Sequence, residues 1–255
     1  MIKTLKKIFW YPFSSKKEIE INQEIVRNIE WNSIKKYIPQ KSSFLDVGCG
    51  SGDNLKRARI EFDCNVTGID PTPGKHGVGR FYSDKNQPNI IKGNAESLSF
   101  EQNSFDVVFC SHVLEHVFDQ QKSLKEISRV LKEEGIVIIG MPTSSMAIIS
   151  IISHYLFTTH VNILFFLKNI NKKEALKRFM HILLPVSHSY PNHRFVTYDL
   201  TAYRIKKWKK KIKNEFDVIE TITPCLYPYP DFVQWFPKKS IKGISSSVFF
   251  ICKKK

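Results

Sequence analysis

With 255 residues, 42% of them hydrophobic and 13% aromatic, the chain can build one full α/β domain with an elaboration, or at most two small domains. That excludes a disordered tail, a collagen-like repeat and a small disulfide scaffold, and five cysteines without paired spacing fit a reducing, cytoplasmic setting. The formal charge of +15 is one-sided: residues 168–255 carry 19 basic and 6 acidic side chains, which suits either a solvated surface or phosphate-rich partners such as nucleic acid, anionic lipid or a pyrophosphate-bearing substrate.

In chain order, Lys3, Lys6 and Lys7 stand beside Phe9, Trp10, Tyr11 and Phe13, residue types that settle at a lipid headgroup boundary or dock as a terminus. Pro12 breaks the apolar stretch and no small-residue cleavage site follows, so it does not read as a signal peptide. Ser15 and Glu18 form a capping box for a helix over 16–38, with Ile19, Val26, Ile29 and Ile34 available for one face. From residue 44 the pattern becomes strands alternating with helices, which argues for a parallel sheet covered on both sides. The strands are FLDV at 44–47, CNVTGID at 64–70, NIIKG at 89–93, FDVVFC at 105–110 and IVIIGM at 136–141, the last broken by Pro142. A helix begins near Asp53; another is predicted over 119–134, starting at Asp119, burying Leu124, Ile127, Val130 and Leu131, and stopping at Gly135.

The loop after the first strand carries the chemistry. Gly48, Gly50 and Gly52 let the backbone approach a ligand beside a helix N-terminus, and Asp70 ends the second strand 18 residues after Gly52, where an acid can accept both ribose hydroxyls. A dinucleotide fingerprint needs a small residue at position 53; Asp53 there would face a pyrophosphate badly.

LDVGCGSG at 45–52 resembles the cofactor loop of class I S-adenosylmethionine-dependent methyltransferases. The similarity to the type 11, ubiquinone-biosynthesis-like group continues through IDP at 69–71, GNAESLSF at 93–100, FDVVFCSHVLEHV at 105–117 and ISRVLKEEGIVIIGMP at 127–142. The resemblance implies an α/β, doubly wound Rossmann-like sheet of seven strands, mostly parallel with a reversed last strand. FDVIETIT at 216–223 and SSVFFICK at 246–253 can supply the final antiparallel pair. It also implies S-adenosyl-L-methionine as cofactor: the methionine portion against Asp46, Gly48 and Gly50, the ribose on Asp70, and the adenine edge at Asn94 and Ala95, with Cys49, Gly52, Cys110 and Ser111 as further cofactor-binding residues. Many relatives have Asp at the position of Asn94. Cys110, Ser111 and His112 follow the fourth strand, where the family lines the reacting methyl group; Cys49 and Cys110 also read as small buried fillers beside glycine.

HVLEH at 112–116 matches the H-x-x-E-H zinc motif of one metallopeptidase class, with both histidines on one helical face, but here it follows a buried strand inside an ordered motif series. Ubiquinone-pathway O-methyltransferases resemble this stretch with an acid in place of His112, and some hold a divalent ion there. Here His112, Glu115 and His116 are read as structural or base residues, no metal is assigned, and methyl transfer is expected without an added ion. Base amino-methyltransferases carry an Asn/Asp-Pro-Pro-aromatic motif where this chain has Ser111-His112-Val113-Leu114, and Pro224-Cys225 lies after the sixth strand rather than the fourth, so nucleic acid is not the expected partner. Ile205, Trp208 and Ile212 have the spacing of a helix packed on the sheet, with Lys206, Lys207, Lys209, Lys210, Lys211 and Lys213 on its wet side.

The segment 143–195 sits where the family builds a substrate lid. Residues 146–167 run for 22 positions without a formal charge, and 172–186 follow with Lys172, Lys173, Lys177 and Arg178 beside Leu176, Phe179, Met180, Leu183 and Leu184, a basic amphipathic pattern suited to a membrane surface or to a soluble lid. A single membrane span would have to return to finish the same sheet, so none is expected. The expected organisation is an N-terminal helical cap over 1–40, the cofactor-binding core over 41–142, the lid over 143–195 and the rest of the core sheet over 196–255. The expected activity is methyl transfer to a small-molecule, glycan or lipid-linked acceptor in the cytoplasm, at the membrane surface in a cell-surface polysaccharide or lipid pathway. His112 and His193 are the candidate bases, and His116, His188, Arg194 and Tyr198 the substrate contacts. An RNA methyltransferase and a non-catalytic methyltransferase-like binding protein are the alternatives.

Overall fold

The computed structural model describes residues 16–74, 89–155, 159, 163, 166–167, 185, 187–189, 195–227, 241 and 243–255. In chain order these form α1 (Lys16–Ile34) with a 3-10 turn (Lys35–Tyr37), β1 (Ser43–Val47), α2 (Asp53–Phe62), β2 (Asn65–Asp70), β3 (Asn89–Lys92), β4 (Phe105–Ser111), α3 (Gln120–Val130), β5 (Leu131–Pro142), α4 (Ser144–Ser153), α5 (Thr197–Ala202), α6 (Ile205–Ile212), β6 (Phe216–Ile222) and β7 (Ser247–Lys254). The strands make one seven-stranded sheet in the order β3-β2-β1-β4-β5-β7-β6. β1 pairs in parallel with both β2 and β4, while β7 runs antiparallel to β5 and β6. The reversed strand therefore lies inside the sheet, not at its edge, and the strand order changes direction at β1, whose carboxyl end opens the crevice where ligands of doubly wound sheets bind.

Both faces of the sheet are buried because the strands are apolar at consecutive positions and side chains alternate sides. Leu45, Val47, Val108, Cys110, Ile139, Phe250 and Cys252 pack on one face with Leu124, Ile127 and Val130 of α3 and Trp208 and Ile212 of α6. Phe44, Val107, Phe109, Ile138, Phe249 and Ile251 pack on the other with Trp31 and Ile34 of α1 and Leu55 and Ala58 of α2. Trp208 also donates its indole N–H to the Pro142 carbonyl at 3.0 Å; of the six lysines expected on the wet side, Lys206, Lys207, Lys210 and Lys213 are exposed, whereas Lys209 and Lys211 are half-buried, Lys211 lying over the Trp208 ring and donating to Gln120 Oε1.

The helix predicted to run to residue 134 stops at Val130. Helix propensity would carry the Leu-Lys-Glu-Glu run further, but Leu131 turns extended and pairs with Phe105, and the ladder resumes at Val107–Ile136. The last helical carbonyls are claimed from outside: Asn103 N–H donates to Arg129 O and Ser104 N–H to Val130 O, both at 2.9 Å, which satisfies the C-terminal acceptors. The expected start at Asp119 holds, since its carboxylate caps Lys122 N–H at 2.9 Å. The first helix likewise ends at Ile34 in a 3-10 turn rather than at 38. Ser15 lies outside the described residues, and with it the capping box.

Within the segment expected to form a lid, α4 is capped by Thr143 and buries Met146 and Ala147. Ser144 ties it to α5 through the Leu200 carbonyl at 2.9 Å. Its outer side leaves Ile148, Ile152 and the following Tyr155 half exposed. Residues 172–184 and 186 of the basic amphipathic stretch lie outside the described residues. Among the described residues, no helix is long and apolar enough to cross a membrane.

Candidate active site

The glycine loop is built by its approach to two neighbours. Gly48 has φ +74°, and a Cβ there would stand 2.2 Å from Val113 Cγ2, so only glycine fits. Its amide donates to Ile69 O at 2.7 Å, which pins the loop across the end of β2. The Asp70 carboxylate then accepts from Gly50 N–H at 2.9 Å and Thr72 N–H at 2.7 Å, leaving lone pairs on both oxygens for further donors. Asp46 is buried in the floor of the loop with its Oδ2 unengaged by any hydrogen bond. Burial pushes its carboxyl well above the usual range, Asn54 opposes this, and nearby Asp70 and Asp53 add to it. Such a carboxylate gains from a cationic ligand group. An orphaned buried acid, a loop with room only for glycine at position 48 and an acid at the end of β2 together fit the cationic methionine end and the ribose of S-adenosylmethionine. Asn94, exposed, and Ala95, buried, flank the chain just after β3.

At the end of β4 the chain turns sharply. His112 has φ +57°, a left-handed conformation uncommon for a residue other than glycine, held by its amide donating to Gly140 O at 2.9 Å. Residues 114–116 form a turn, closed by His116 N–H to Val113 O at 2.8 Å, and not a helix. The helical H-x-x-E-H arrangement of a metallopeptidase is therefore absent. The turn instead sends Glu115 inward, where its side chain is wholly buried. Facing its Oε1 are His112 Nδ1 at 3.5 Å, His188 Nε2 at 3.5 Å and His116 Nε2 at 3.9 Å. Burial would raise the Glu115 carboxyl, but His112 and His188 outweigh it and hold it well below the usual carboxylate range.

The other ring nitrogen of His112 looks toward α1, where Glu30 Oε1 stands 3.7 Å from Nε2. Glu30 is buried, paired with Arg27 at 2.5 Å and accepting the Tyr227 hydroxyl at 3.0 Å. His188 is delivered by α5: the buried Asp199 accepts its amide at 2.8 Å and the Ser187 hydroxyl at 2.6 Å.

Of the sequence-predicted residues, the structure brings His112, His116 and His188 together around Glu115, and Asp46, Gly48, Gly50, Gly52 and Asp70 around the loop. Cys49 and Cys110 are buried, and burial pushes both thiols up, as befits packing residues. Ser111 Oγ lies against Gly140, where a Cβ would come within 2.5 Å of it. Tyr198 packs edge-on to Tyr203 at 6.4 Å, against the sheet-side core. His193 and Arg194 lie outside the described residues. Sequence reading missed Glu30, Arg27, Tyr227 and Asp199. Glu30 had a signal: it falls midway between Val26 and Ile34, four residues from each, on the face that those two buried residues mark as inward.

Residues 45–139 match a family described as a methyltransferase domain. The chain is 30% identical over 111 residues to a ubiquinone/menaquinone biosynthesis C-methyltransferase UbiE of Campylobacter jejuni, covering 40% of this chain and 46% of that protein. It is 31% identical over 122 residues to a ubiquinone biosynthesis O-methyltransferase of Pelagibacter ubique, covering 47% and 50%. It thus spans about half the length of the curated relatives it matches. Among solved structures it is similar to an S-adenosylmethionine-dependent methyltransferase of Thermotoga maritima, with a TM-score of 0.55 at 17% identity over 94% of each chain.

Proposed function

We propose, from the premise that residues 45–139 form a class I S-adenosylmethionine-dependent methyltransferase domain, that this chain transfers a methyl group to a small-molecule, glycan or lipid-linked acceptor. The observation that carries the reading is the buried, unsatisfied Asp46 carboxylate beneath a loop that admits only glycine at position 48, beside the backbone-clamped Asp70. When bound, the cofactor supplies an electrophilic methyl on a sulfonium, already a good leaving group. The protein's own work is then alignment and proton handling. Asp46 orients a cationic group at the floor of the loop, Asp70 accepts the ribose hydroxyls, and Asn94 with Ala95 meets the adenine edge. The acceptor's proton is taken up at the end of β4, beside the His112–Glu115–His188 cluster. His112 itself has a carboxylate toward each ring nitrogen, so serving as base requires one of them to let go. His193 remains the second candidate base.

The half-exposed Ile148, Ile152 and Tyr155 on the lid, together with the basic last third, support a site that works at an anionic membrane surface on the cytoplasmic side. The relatives' names, which concern quinone biosynthesis, favour a small aromatic or lipid-soluble acceptor over RNA. The burial of Trp208 also removes the aromatic side chain that a basic RNA-binding face would use for stacking. Calorimetry on the purified chain should show binding of S-adenosylmethionine and of its demethylated product, weakened by about 1–3 kcal/mol in Asp70→Ala, the cost of losing hydrogen bonds to a charged acceptor. Undiminished binding by that variant would sink the assignment. Mass spectrometry of lipid and glycan extracts from cells with and without the gene then identifies the acceptor.

A further inference from the structure

The Glu115 carboxylate is wholly enclosed, and neither oxygen is engaged in a hydrogen bond. A buried charge left so is costly, and imidazolium partners would be expected to close on it to about 2.7–2.9 Å. They do not: His112 Nδ1 and His188 Nε2 both stand off at 3.5 Å. That separation suits a different arrangement. Metal–ligand bonds of about 2.0–2.1 Å in a tetrahedral site hold neighbouring donors about 3.3 Å apart. The three donor atoms of His112, Glu115 and His188 lie within 4.8 Å of one another. The far nitrogen of His112 faces Glu30 at 3.7 Å, with no hydrogen bond formed between them; Glu30, anchored by Arg27 and Tyr227, thus stands where a carboxylate backs a metal-binding imidazole.

We propose that His112, Glu115 and His188 bind one divalent transition-metal ion of the zinc type, with Glu30 as the outer carboxylate on His112. Two imidazoles and one carboxylate suit zinc over magnesium or calcium, which prefer all-oxygen shells. The donor set is not the contiguous H-x-x-E-H string. His116 stands farther off at 3.9 Å with 43% of its side chain exposed, and the third donor, His188, comes from the far end of the 143–195 segment, held out by Asp199. The ion would therefore staple the segment around 187–189 to the end of β4. Its open fourth position would take an acceptor hydroxyl and favour the deprotonated form; that use, unlike the binding itself, rests on the methyltransferase reading.

The test is a titration of the full, tag-free, chelator-stripped chain with Zn²⁺ or Co²⁺ alone, followed by calorimetry and by the visible absorption of the cobalt form. One equivalent should bind, with absorption typical of a tetrahedral site. His188→Ala and Glu115→Gln should weaken uptake beyond the ~10–100-fold that loss of an outer-shell partner costs, and Glu30→Gln should fall within that range. His116→Ala should bind as wild type does. Should Glu115→Gln fail to fold, His188→Ala, checked by its metal-free thermal transition, carries the test alone. Absence of stoichiometric uptake, or uptake that survives His188→Ala and is lost in His116→Ala, would overturn the proposal. Neither readout involves cofactor or turnover, so the methyltransferase reading can fail while this site stands.

Discussion

Asp106 shows how one side chain joins two strands. Its Oδ2 accepts from the Ser43 amide at 2.9 Å and hydroxyl at 2.5 Å, and its Oδ1 from Lys132 at 2.8 Å, so β1 and β4 are stitched beside their ladder. Partial burial pushes the carboxyl up, but Lys132 and Ser43 outweigh it and bring it to about 2. The unfolded value is about 3.9, so a depressed native value stabilises the fold above about pH 4 and loses that contribution as pH falls through about 2. Because the side chain is 40% exposed, screening limits the effect to less than about 1 kcal/mol. Asp106→Asn should thus lower stability slightly at neutral pH, and urea melts should show its gap from wild type closing on acidification. A gap that persists in strong acid would mean the lost interaction is not that of the charged carboxylate. The described cysteines Cys49, Cys64, Cys110, Cys225 and Cys252 are free and buried, and burial pushes the Cys252 thiol up to about 12. A thiol reagent should therefore label them only on unfolding; rapid labelling of the native chain would contradict this.

At the scale of elements, α3 and α4 make opposite predictions from the same kind of residue. Leu124 and Ile127 of α3 are buried against the sheet, so alanine at either should cost about 2–5 kcal/mol in chemical denaturation. Ile148 and Ile152 of α4 are apolar too, but 50% and 53% exposed. Replacing both with serine should change stability by no more than about 0.5 kcal/mol each, as surface positions do, while lowering affinity for lipid vesicles. A large stability loss would show that this face is covered by protein rather than lipid.

The whole molecule combines a two-faced sheet with a charge of +15 concentrated in its last third. Attraction to an anionic surface should then contain two parts, apolar insertion of the lid and about 1 kcal/mol for each lysine or arginine near the surface. Salt screens only the second. Sedimentation with acidic-lipid vesicles should accordingly weaken, without vanishing, as salt rises, and exchanging Lys172, Lys173, Lys177 and Arg178 for glutamate should release the chain while cofactor binding persists. A chain that stays in the supernatant at low salt would assign the basic surface to another partner.

The sheet and the glycine loop were legible in the sequence because both rest on local rules. Apolar runs separated by turn residues mark β1, β2, β4 and β5, and the glycine spacing with Asp46 and Asp70 marks a loop whose conformation few other residues allow. The end of α3 was not legible, since Leu131 to Glu134 favour helix and only pairing with Phe105 and the amides of Asn103 and Ser104 stop it. The carboxylate–histidine cluster was legible only in part. His112, Glu115 and His116 are neighbours in the chain and invite being read together, yet the turn at 114–116 points Glu115 inward and leaves His116 at the surface. Glu30 arrives from α1 and His188 from beside α5, 158 positions apart in the chain, and no local propensity encodes that meeting. Side chains so distant in sequence are brought within a few ångströms only by helices packing on a completed sheet, which is why the tertiary structure alone decides which histidines face the buried carboxylate.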